Sequence, residues 1–156
     1  MISTPVTEEL DRRGIPYRLF THAGEVQSVK QAAQERGTSV DQVVRSLVFR
    51  LAEDEFIMIL APGEHQVSWP ALRKHLGRSR LTLASAEEVL QETGYKPGAV
   101  SPFGLPAPMR ILVDCSVFNQ PQVSLGAGVR GSAVILSIED FRKALEGAEV
   151  VDLIRA

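Results

Sequence analysis

Residues 46–61 read SLVFRLAEDEFIMILA, and this stretch decides the fold. Its two ends, Ser46–Leu51 and Glu55–Ala61, are rich in Val, Ile and Leu and are typical of buried strands. Because only a short acidic turn separates them, we expect the two strands to pair as an antiparallel hairpin. Further strand-like runs lie at Tyr17–Phe20, Met109–Val113, Ser132–Leu136 and Val150–Ile154.

Helix signals stand between these strands. Thr4 followed by Pro5 suits an N-cap with proline at the first helical position. Four capping boxes are present, in which a side-chain oxygen accepts from backbone N–H groups of the first turn: Ser28 with Gln31, Ser39 with Gln42, Ser85 with Glu88 and Ser137 with Asp140. A further helix is expected over residues 68–76. Because helices and strands alternate without a regular βαβ rhythm, the sequence predicts an α+β fold: a mixed, curved, barrel-like central sheet flanked by short helices.

Composition limits the class of protein. The chain has 156 residues, with 17 Lys or Arg against 19 Asp or Glu, and a formal charge of −2. The length predicts a single domain over residues 1–156, and the charge disfavours broad non-specific nucleic-acid binding. No apolar run approaches the roughly 20 residues of a bilayer span, so no membrane contact is expected. The N-terminal segment lacks a signal-peptide pattern, and the single Cys115 cannot form an internal disulfide, so a cytoplasmic location is expected.

Two glycine-containing segments depart from regular structure. Residues 94–108 hold three Gly and four Pro, so they form neither helix nor strand. They are either a ligand-binding loop or a plain connector. Residues 126–131, GAGVRG, match the dinucleotide-binding pattern, but a strand-like run follows where that pattern requires a helix, which excludes NAD binding. Two interpretations of GAGVRG stay open: a tight hairpin, and a loop whose N–H groups bind a carbonyl, a phosphate or a ribose.

Few side chains suggest chemistry by themselves. His22, His65 and His75 are not at metal-ligand spacing, so no metal site and no cofactor are predicted. Cys115 follows an apolar strand, which favours a buried structural cysteine over a nucleophile. Arg45 lies between a short capped helix and an apolar strand, where it either snorkels to solvent or faces a cleft. The densest basic cluster, open to a phosphate-contact role or a solvated helix end, comprises Arg73, Lys74, Arg78 and Arg80.

Four segments taken in order carry a family resemblance. They are His22 with residues 28–37, QVVRSLVF at residues 42–49, TGYKPGAVSPFG at residues 93–104, and GAGVRG at residues 126–131. Together they resemble the YbaK/ProX family of aminoacyl-tRNA deacylases, which is similar to the editing domain of bacterial prolyl-tRNA synthetases. The resemblance covers essentially the whole chain.

The resemblance implies a trans-editing hydrolase that removes a wrongly attached amino acid from aminoacyl-tRNA, with alanine or cysteine on tRNA(Pro) as typical substrates. It implies that glycine loops hold the aminoacyl-adenosine end and that the substrate's own ribose hydroxyl assists the attack. Arg45, at the family's lysine position, is the expected catalytic residue. The expected partners are the acceptor end of aminoacyl-tRNA and an aminoacyl-tRNA synthetase. Expected substrate-binding residues are Phe20, His22, Gly98, Ala99, Ser101, Pro102, Gly126, Ala127 and Gly128, and expected tRNA-backbone contacts are Arg73, Lys74, Arg78 and Arg80.

Three departures from the family pattern, at Arg45, Ala99 and Ala127, leave alternatives open, and Phe20 adds a fourth difference. Arg45 keeps the charge of the family lysine but is bulkier and does not give up its proton at neutral pH. Ala99 and Ala127 replace glycines and are expected to narrow the pocket. Phe20 stands where relatives can carry tyrosine. One alternative is therefore a binding module of the same fold that has lost catalysis, and another is a hydrolase of small esters or thioesters that does not use tRNA.

Overall fold

The computed structural model describes residues 2–155. Helices and strands alternate along the chain, and every helix is short. The helices are α1 (Pro5–Arg12), α2 (Val29–Arg36), α3 (Trp69–Leu76), α4 (Ala86–Thr93) and α5 (Ile138–Ala144), with 3-10 helices at Val40–Gln42 and Cys115–Asn119. The strands are β1 (Arg18–Thr21), β2 (Val44–Ala52), β3 (Glu55–Pro62), β4 (Thr82–Leu83), β5 (Arg110–Asp114), β6 (Gln122–Gly126), β7 (Ser132–Ser137) and β8 (Glu149–Val151).

The helix N-caps lie where the sequence predicts them. An oxygen from each capping side chain accepts a hydrogen bond from a first-turn N–H group in all five α-helices; these side chains are Thr4, Ser28, Ser68, Ser85 and Ser137. Ser39 begins only the 3-10 helix, because the β-branched Val43 and Val44 that follow lead directly into β2.

The strands form two sheets, and the mixed α+β architecture is confirmed. β2 and β3 pair as the predicted antiparallel hairpin, and β5 and β8 add parallel strands to give the order β4-β2-β3-β5-β8. β1, β7 and β6 form a second, antiparallel sheet. The barrel-like part of the prediction is not met: the strands of residues 2–155 lie in two open sheets, which meet at a bridge between Val43 and Ser124.

Two apolar clusters explain the layering. The larger lies between the sheets and includes Val48 of β2 and Val134 of β7. The smaller lies between the five-stranded sheet and α3 and includes Phe49 and Leu72. Because strand side chains alternate between faces, Arg45 and Phe49 share the α3 face of β2. Among residues 2–155, no helix combines the length and apolar character that a bilayer crossing requires.

Helix α1 holds both glycine loops in place. The Thr4 hydroxyl donates to the Ala127 carbonyl at 2.6 Å, and a Glu9 carboxylate oxygen accepts from the Gly104 N–H at 3.0 Å. Gly104 has φ +71°, and a side chain there would lie 2.5 Å from the Pro5 carbonyl. Glycine is therefore required at the point where the 94–108 loop crosses the helix.

Candidate functional site

A cleft of about 380 Å³, called here the central cleft, opens where the start of β2, α2 and two glycine loops meet. Its walls mix aliphatic side chains with a few polar groups. The lining residues are His22, Val26, Gln27, Ser28, Val29, Ala32, Arg36, Val43, Val44, Arg45, Ser46, Leu47, Gly98, Val100, Gly126, Gly131 and Ser132. Of the residues that the sequence predicts for the site, the structure thus brings Arg45, His22, Gly98 and Gly126 together.

Arg45 borders the central cleft from β2. Its Nη2 donates to the backbone carbonyl of His65, in the segment that follows β3. Its Nε is buried and has no hydrogen-bond partner among the described residues, and the same holds for the hydroxyl of Ser46 beside it. Burial lowers the pKa of Arg45, and Glu64 opposes that shift, but an arginine stays charged at neutral pH. The cleft wall therefore contains a half-buried cation, whose charge attracts an anionic ligand, beside two buried polar atoms without partners among the described residues.

A second arginine, Arg36 at the end of α2, reaches the same cleft. Its Nε donates to His22 Nε2 at 3.1 Å, and its Nη1 donates to the Ser124 hydroxyl at 3.2 Å. Because His22 Nε2 accepts, its proton lies on Nδ1, which donates to a Glu35 carboxylate oxygen at 2.7 Å. Both ring nitrogens of His22 are thus engaged, and its side chain is fully buried. We conclude that His22 positions Arg36 and is not free to act as a base.

The glycine loops approach each other closely at the cleft. A side chain on Gly126 would lie 3.0 Å from the Val100 carbonyl, so that contact depends on the missing Cβ. Arg130 Nε donates to the Pro97 carbonyl at 3.0 Å and ties one loop to the other. The GAGVRG segment connects β6 to β7, so the hairpin interpretation is confirmed. It also supplies Gly126 and Gly131 to the cleft wall.

The backbone of β2 adds polar groups to this wall. β3 occupies one edge of β2, whereas β4 pairs with the other edge at Phe49 and Arg50. Within the described part of the chain, the other edge of β2 from Arg45 to Leu47 has no strand partner. These residues line the cleft, and because backbone groups alternate between the two edges of a strand, those of Ser46 face this unpaired edge.

Several predicted substrate-binding residues lie behind the cleft. Phe20 packs edge-to-face on His22, with ring centroids 4.9 Å apart, and supports that ring. Ala99 and Ala127 are buried and do not line the cleft, so they do not narrow it directly. Ser101 is also buried, and its hydroxyl accepts from the Phe103 N–H at 3.1 Å, which shapes the loop. Gly128 packs against Tyr95, and Pro102 lines a separate cleft beside residues 144–148.

The basic cluster is not part of the central cleft. Arg78 pairs with Glu55 at 2.6 Å, at the turn of the β2–β3 hairpin. Arg45 is seven residues earlier on β2 than the residue paired with Glu55, which corresponds to roughly 20 Å along the strand. Arg73, Lys74 and Arg80 also do not line the cleft. The structure therefore places this cluster apart from the glycine loops.

The remaining candidates have structural contacts. Cys115 is exposed, so its predicted burial is wrong: it begins a 3-10 helix just after β5 ends. Partial desolvation and the carboxylates of Asp114 and Asp152 raise the pKa of the thiol, which disfavours a nucleophilic role. The oxygens of Asp114 already accept from Leu153 N–H at 2.7 Å and from Ser116 N–H at 3.0 Å.

Comparison with known proteins defines the class to which this fold and cleft belong. The model of the aminoacyl-tRNA editing domain family matches residues 23–144, and the chain belongs to that family. Its relatives include the multifunctional Ser/Thr-tRNA deacylase ProXp-y of Escherichia coli K12, which is 26% identical over 136 residues, 85% of this chain and 81% of the relative.

Two further relatives differ in how much of their own length the match covers. The chain is 34% identical over 114 residues to YwhH of Bacillus subtilis, a match that covers 73% of this chain and 72% of YwhH. It is 35% identical over 92 residues to a proline–tRNA ligase of Thermosipho africanus. That match covers 59% of this chain but only 16% of the ligase, so the likeness concerns one part of that enzyme.

Solved structures confirm the fold. The crystal structure of a candidate trans-editing enzyme for prolyl-tRNA synthetase matches with a TM-score of 0.88 and 27% identity over 100% of both chains. The hypothetical protein APE2540 matches with a TM-score of 0.87 and 26% identity, over 97% of this chain and 100% of that one. The family and its fold are thereby established for this chain.

Sequence reasoning missed two polar groups of the cleft. Arg36 lies in a helix whose pattern suggested only caps and alanines, and its partner Ser124 is 88 residues away. No local pattern reveals that contact. Ser46 could have been found, because a serine inside the apolar run at residues 43–49 is an unusual polar group in a buried strand.

Proposed function

We propose that this protein is an aminoacyl-tRNA deacylase that acts in trans on a tRNA carrying the wrong amino acid, with tRNA(Pro) bearing a small amino acid as its substrate. The observation that carries the proposal is the central cleft, in which Arg45 meets the backbone of Gly98 and Gly126. Membership in the editing-domain family supplies the substrate class. The name of ProXp-y, a Ser/Thr-tRNA deacylase, supports ester hydrolysis as the reaction.

The reaction breaks the ester bond between the amino acid and the terminal ribose. Water adds to the ester carbonyl carbon, the bond from that carbon to the ribose oxygen breaks, and the ribose oxygen takes up a proton. The products are a free amino acid and an uncharged tRNA. The neighbouring ribose hydroxyl is suitably placed to assist the water, so the protein contributes mainly orientation and charge.

The cleft can stabilise the negative charge that develops on the carbonyl oxygen. The backbone N–H of Ser46 on the unpaired edge of β2 and the N–H groups of the glycine loops are donors of the kind that bind an oxyanion. Arg45 adds a positive charge at the same wall. His22 acts indirectly in this scheme, because both of its nitrogens hold Arg36 and Glu35.

One observation favours a second candidate, a binding module with weakened catalysis. Arg45 Nη2 already donates to the His65 carbonyl, so part of the guanidinium is bound within the protein. A compact lysine ammonium at this position could move more freely toward a substrate. In this candidate the cleft still holds the aminoacyl-adenosine end but accelerates its hydrolysis only weakly.

A deacylation panel separates the two candidates. tRNA(Pro) charged with Ala, Cys or Ser is incubated with the wild type, Arg45→Ala, Arg45→Lys and the matched control Arg50→Ala, which removes another half-buried arginine of β2. Rapid release of at least one amino acid, lost in Arg45→Ala and kept in Arg50→Ala, supports the deacylase. No release by folded wild type, with large activity in Arg45→Lys, supports the binding module. Release that persists in Arg45→Ala would show that the reaction does not require Arg45.

A further inference from the structure

A second concavity of about 330 Å³, called here the side groove, adjoins the central cleft on the α3 face of β2. Arg45 and Leu47 line both concavities, so the two adjoin at these residues. The side groove also contains Trp69, Leu83 and Arg155. A ligand whose end occupies the central cleft can therefore continue into the side groove.

The side groove presents flat apolar surface. Trp69 begins α3 and packs edge-to-face on Phe49, with ring centroids 5.2 Å apart, which braces the indole ring. Leu83, on the short strand β4, is 56% exposed, an unusual exposure for a large aliphatic side chain of a strand. A braced indole ring beside an exposed leucine is the kind of surface on which a nucleobase stacks.

The ionisable side chains that line the side groove are both basic. Among the described residues, those that line it and are ionisable are Arg45 and Arg155, and none is Asp or Glu. Arg155 is held in place, because its Nη1 donates to the Gln66 side-chain oxygen at 3.1 Å and its backbone N–H donates to the Gln66 carbonyl at 2.8 Å. Two guanidinium groups beside an aromatic ring suit a phosphodiester next to a stacked base.

We propose that the side groove is a subsite for the unpaired 3′ strand of the RNA, in which the nucleotide before the terminal adenosine stacks on Trp69 and Leu83. Its phosphate lies between Arg45 and Arg155. This inference rests on the proposed function, since it takes the aminoacyl-adenosine end to be in the central cleft. With this subsite, the protein binds single-stranded RNA without using the Arg73–Arg80 cluster.

Trp69 is the single tryptophan of the chain, so its fluorescence reports this subsite directly. The probe is the trinucleotide CpCpA, titrated against wild type, Leu83→Glu, Arg155→Ala and Leu90→Glu. Leu90 is the matched control, since it is 46% exposed on α4 and lines neither concavity. We expect saturable quenching in the wild type and in Leu90→Glu, an affinity about ten-fold lower in Leu83→Glu, and about three-fold lower in Arg155→Ala.

Three results would overturn the subsite. One is binding of CpCpA, seen by equilibrium dialysis, without any change in Trp69 fluorescence. Another is equal affinity for Leu83→Glu and Leu90→Glu. The third is undiminished CpCpA binding by Leu83→Glu together with loss of a complex with prolyl-tRNA synthetase, which would assign the groove to a protein.

The deacylation panel distinguishes failure of the subsite from failure of the proposed function. Quenching by CpCpA in a protein that releases no amino acid supports the subsite and contradicts the proposed deacylase function. Rapid release of the amino acid with the same KM in wild type and Leu83→Glu supports the deacylase function and contradicts the subsite.

Discussion

Two arginines border the central cleft, and their surroundings differ. Arg36 is bound along two edges of its guanidinium, by His22 at 3.1 Å and by Ser124 at 3.2 Å. Arg45 donates to one backbone carbonyl, while its buried Nε has no partner among residues 2–155. The comparison teaches that the same residue type supports the architecture of the cleft at one position and remains available to a ligand at the other.

The largest expected effect on activity is that of Arg45→Ala. We expect kcat/KM for a mischarged tRNA to fall about 100-fold, because a charge directed at the developing oxyanion is removed. The free energy of unfolding should change little, since one hydrogen bond to His65 is lost. Steady-state deacylation together with urea unfolding checks this. A large loss of stability would show that Arg45 is as structural as Arg36.

Arg36→Ala should reduce stability more than activity, the reverse of what we expect for Arg45→Ala. We expect a stability loss of about 1–3 kcal/mol, because His22 Nε2 and the Ser124 hydroxyl lose their donor inside the protein. Activity should fall about ten-fold, through a misplaced cleft wall. Arg36→Lys is the control that keeps the charge but cannot donate to both partners. Urea unfolding and kcat/KM, measured on the same samples, test this prediction. A fully stable Arg36→Ala would contradict the structural role assigned to Arg36.

Gly126→Ala tests how tightly β6 fixes the wall that Arg36 contacts. The added methyl would lie 3.0 Å from the Val100 carbonyl, so we expect about 1–2 kcal/mol of destabilisation from overpacking and a raised KM. Gly24→Ala is the matched control, since a methyl there meets no atom within 4 Å. Thermal unfolding and KM measure both variants. Equal behaviour of the two would mean that the loops adjust without cost.

The smallest effect concerns Glu35, which holds His22 and through it Arg36. Hydrogen bonds from Gln31 and His22 lower the pKa of Glu35. Because the folded-state pKa lies below the ordinary value of about 4.3, the stabilisation is fully present above that value and is lost as the pH falls through the folded-state pKa. The stability difference between wild type and Glu35→Gln should therefore be constant above about pH 5 and shrink below about pH 4.

Urea unfolding across this range, with Glu53→Gln in the exposed hairpin turn as control, measures that difference. A difference that grows on acidification would contradict the assigned network. Arg45→Ala should leave the pH dependence unchanged, because Arg45 is not part of this network.

Local patterns predicted much of the fold. The caps at Ser28, Ser85 and Ser137 and the β2–β3 hairpin depend on residues close in the chain, and each is present. β6 was missed, because its five residues, QVSLG, carry too little apolar pattern alone and are buried through pairing with β7. The division into two sheets follows from packing between distant strands and leaves no periodic signal.

The candidate site was predictable to the extent that its residues lie in motifs. Arg45, Gly98 and Gly126 line the cleft as expected, whereas Ala127 and Ser101 support it from behind. A motif contains both kinds of residue, and the sequence does not show which side chains face a ligand. The role of Arg36 depends on contacts across the fold, which no short segment encodes.

Helix α1 has a consequence for how this domain is delimited. The family model begins at residue 23, so a fragment cut to those bounds would contain β2 and both glycine loops but not His22. It would lack Thr4 and Glu9, which hold the Ala127 and Gly104 loops by hydrogen bonds of 2.6 and 3.0 Å. Such a fragment would keep most motif residues of the site but would lack the helix that holds the two loops in position. Minimal versions of this domain should therefore be designed from the contacts of α1 and not from motif boundaries.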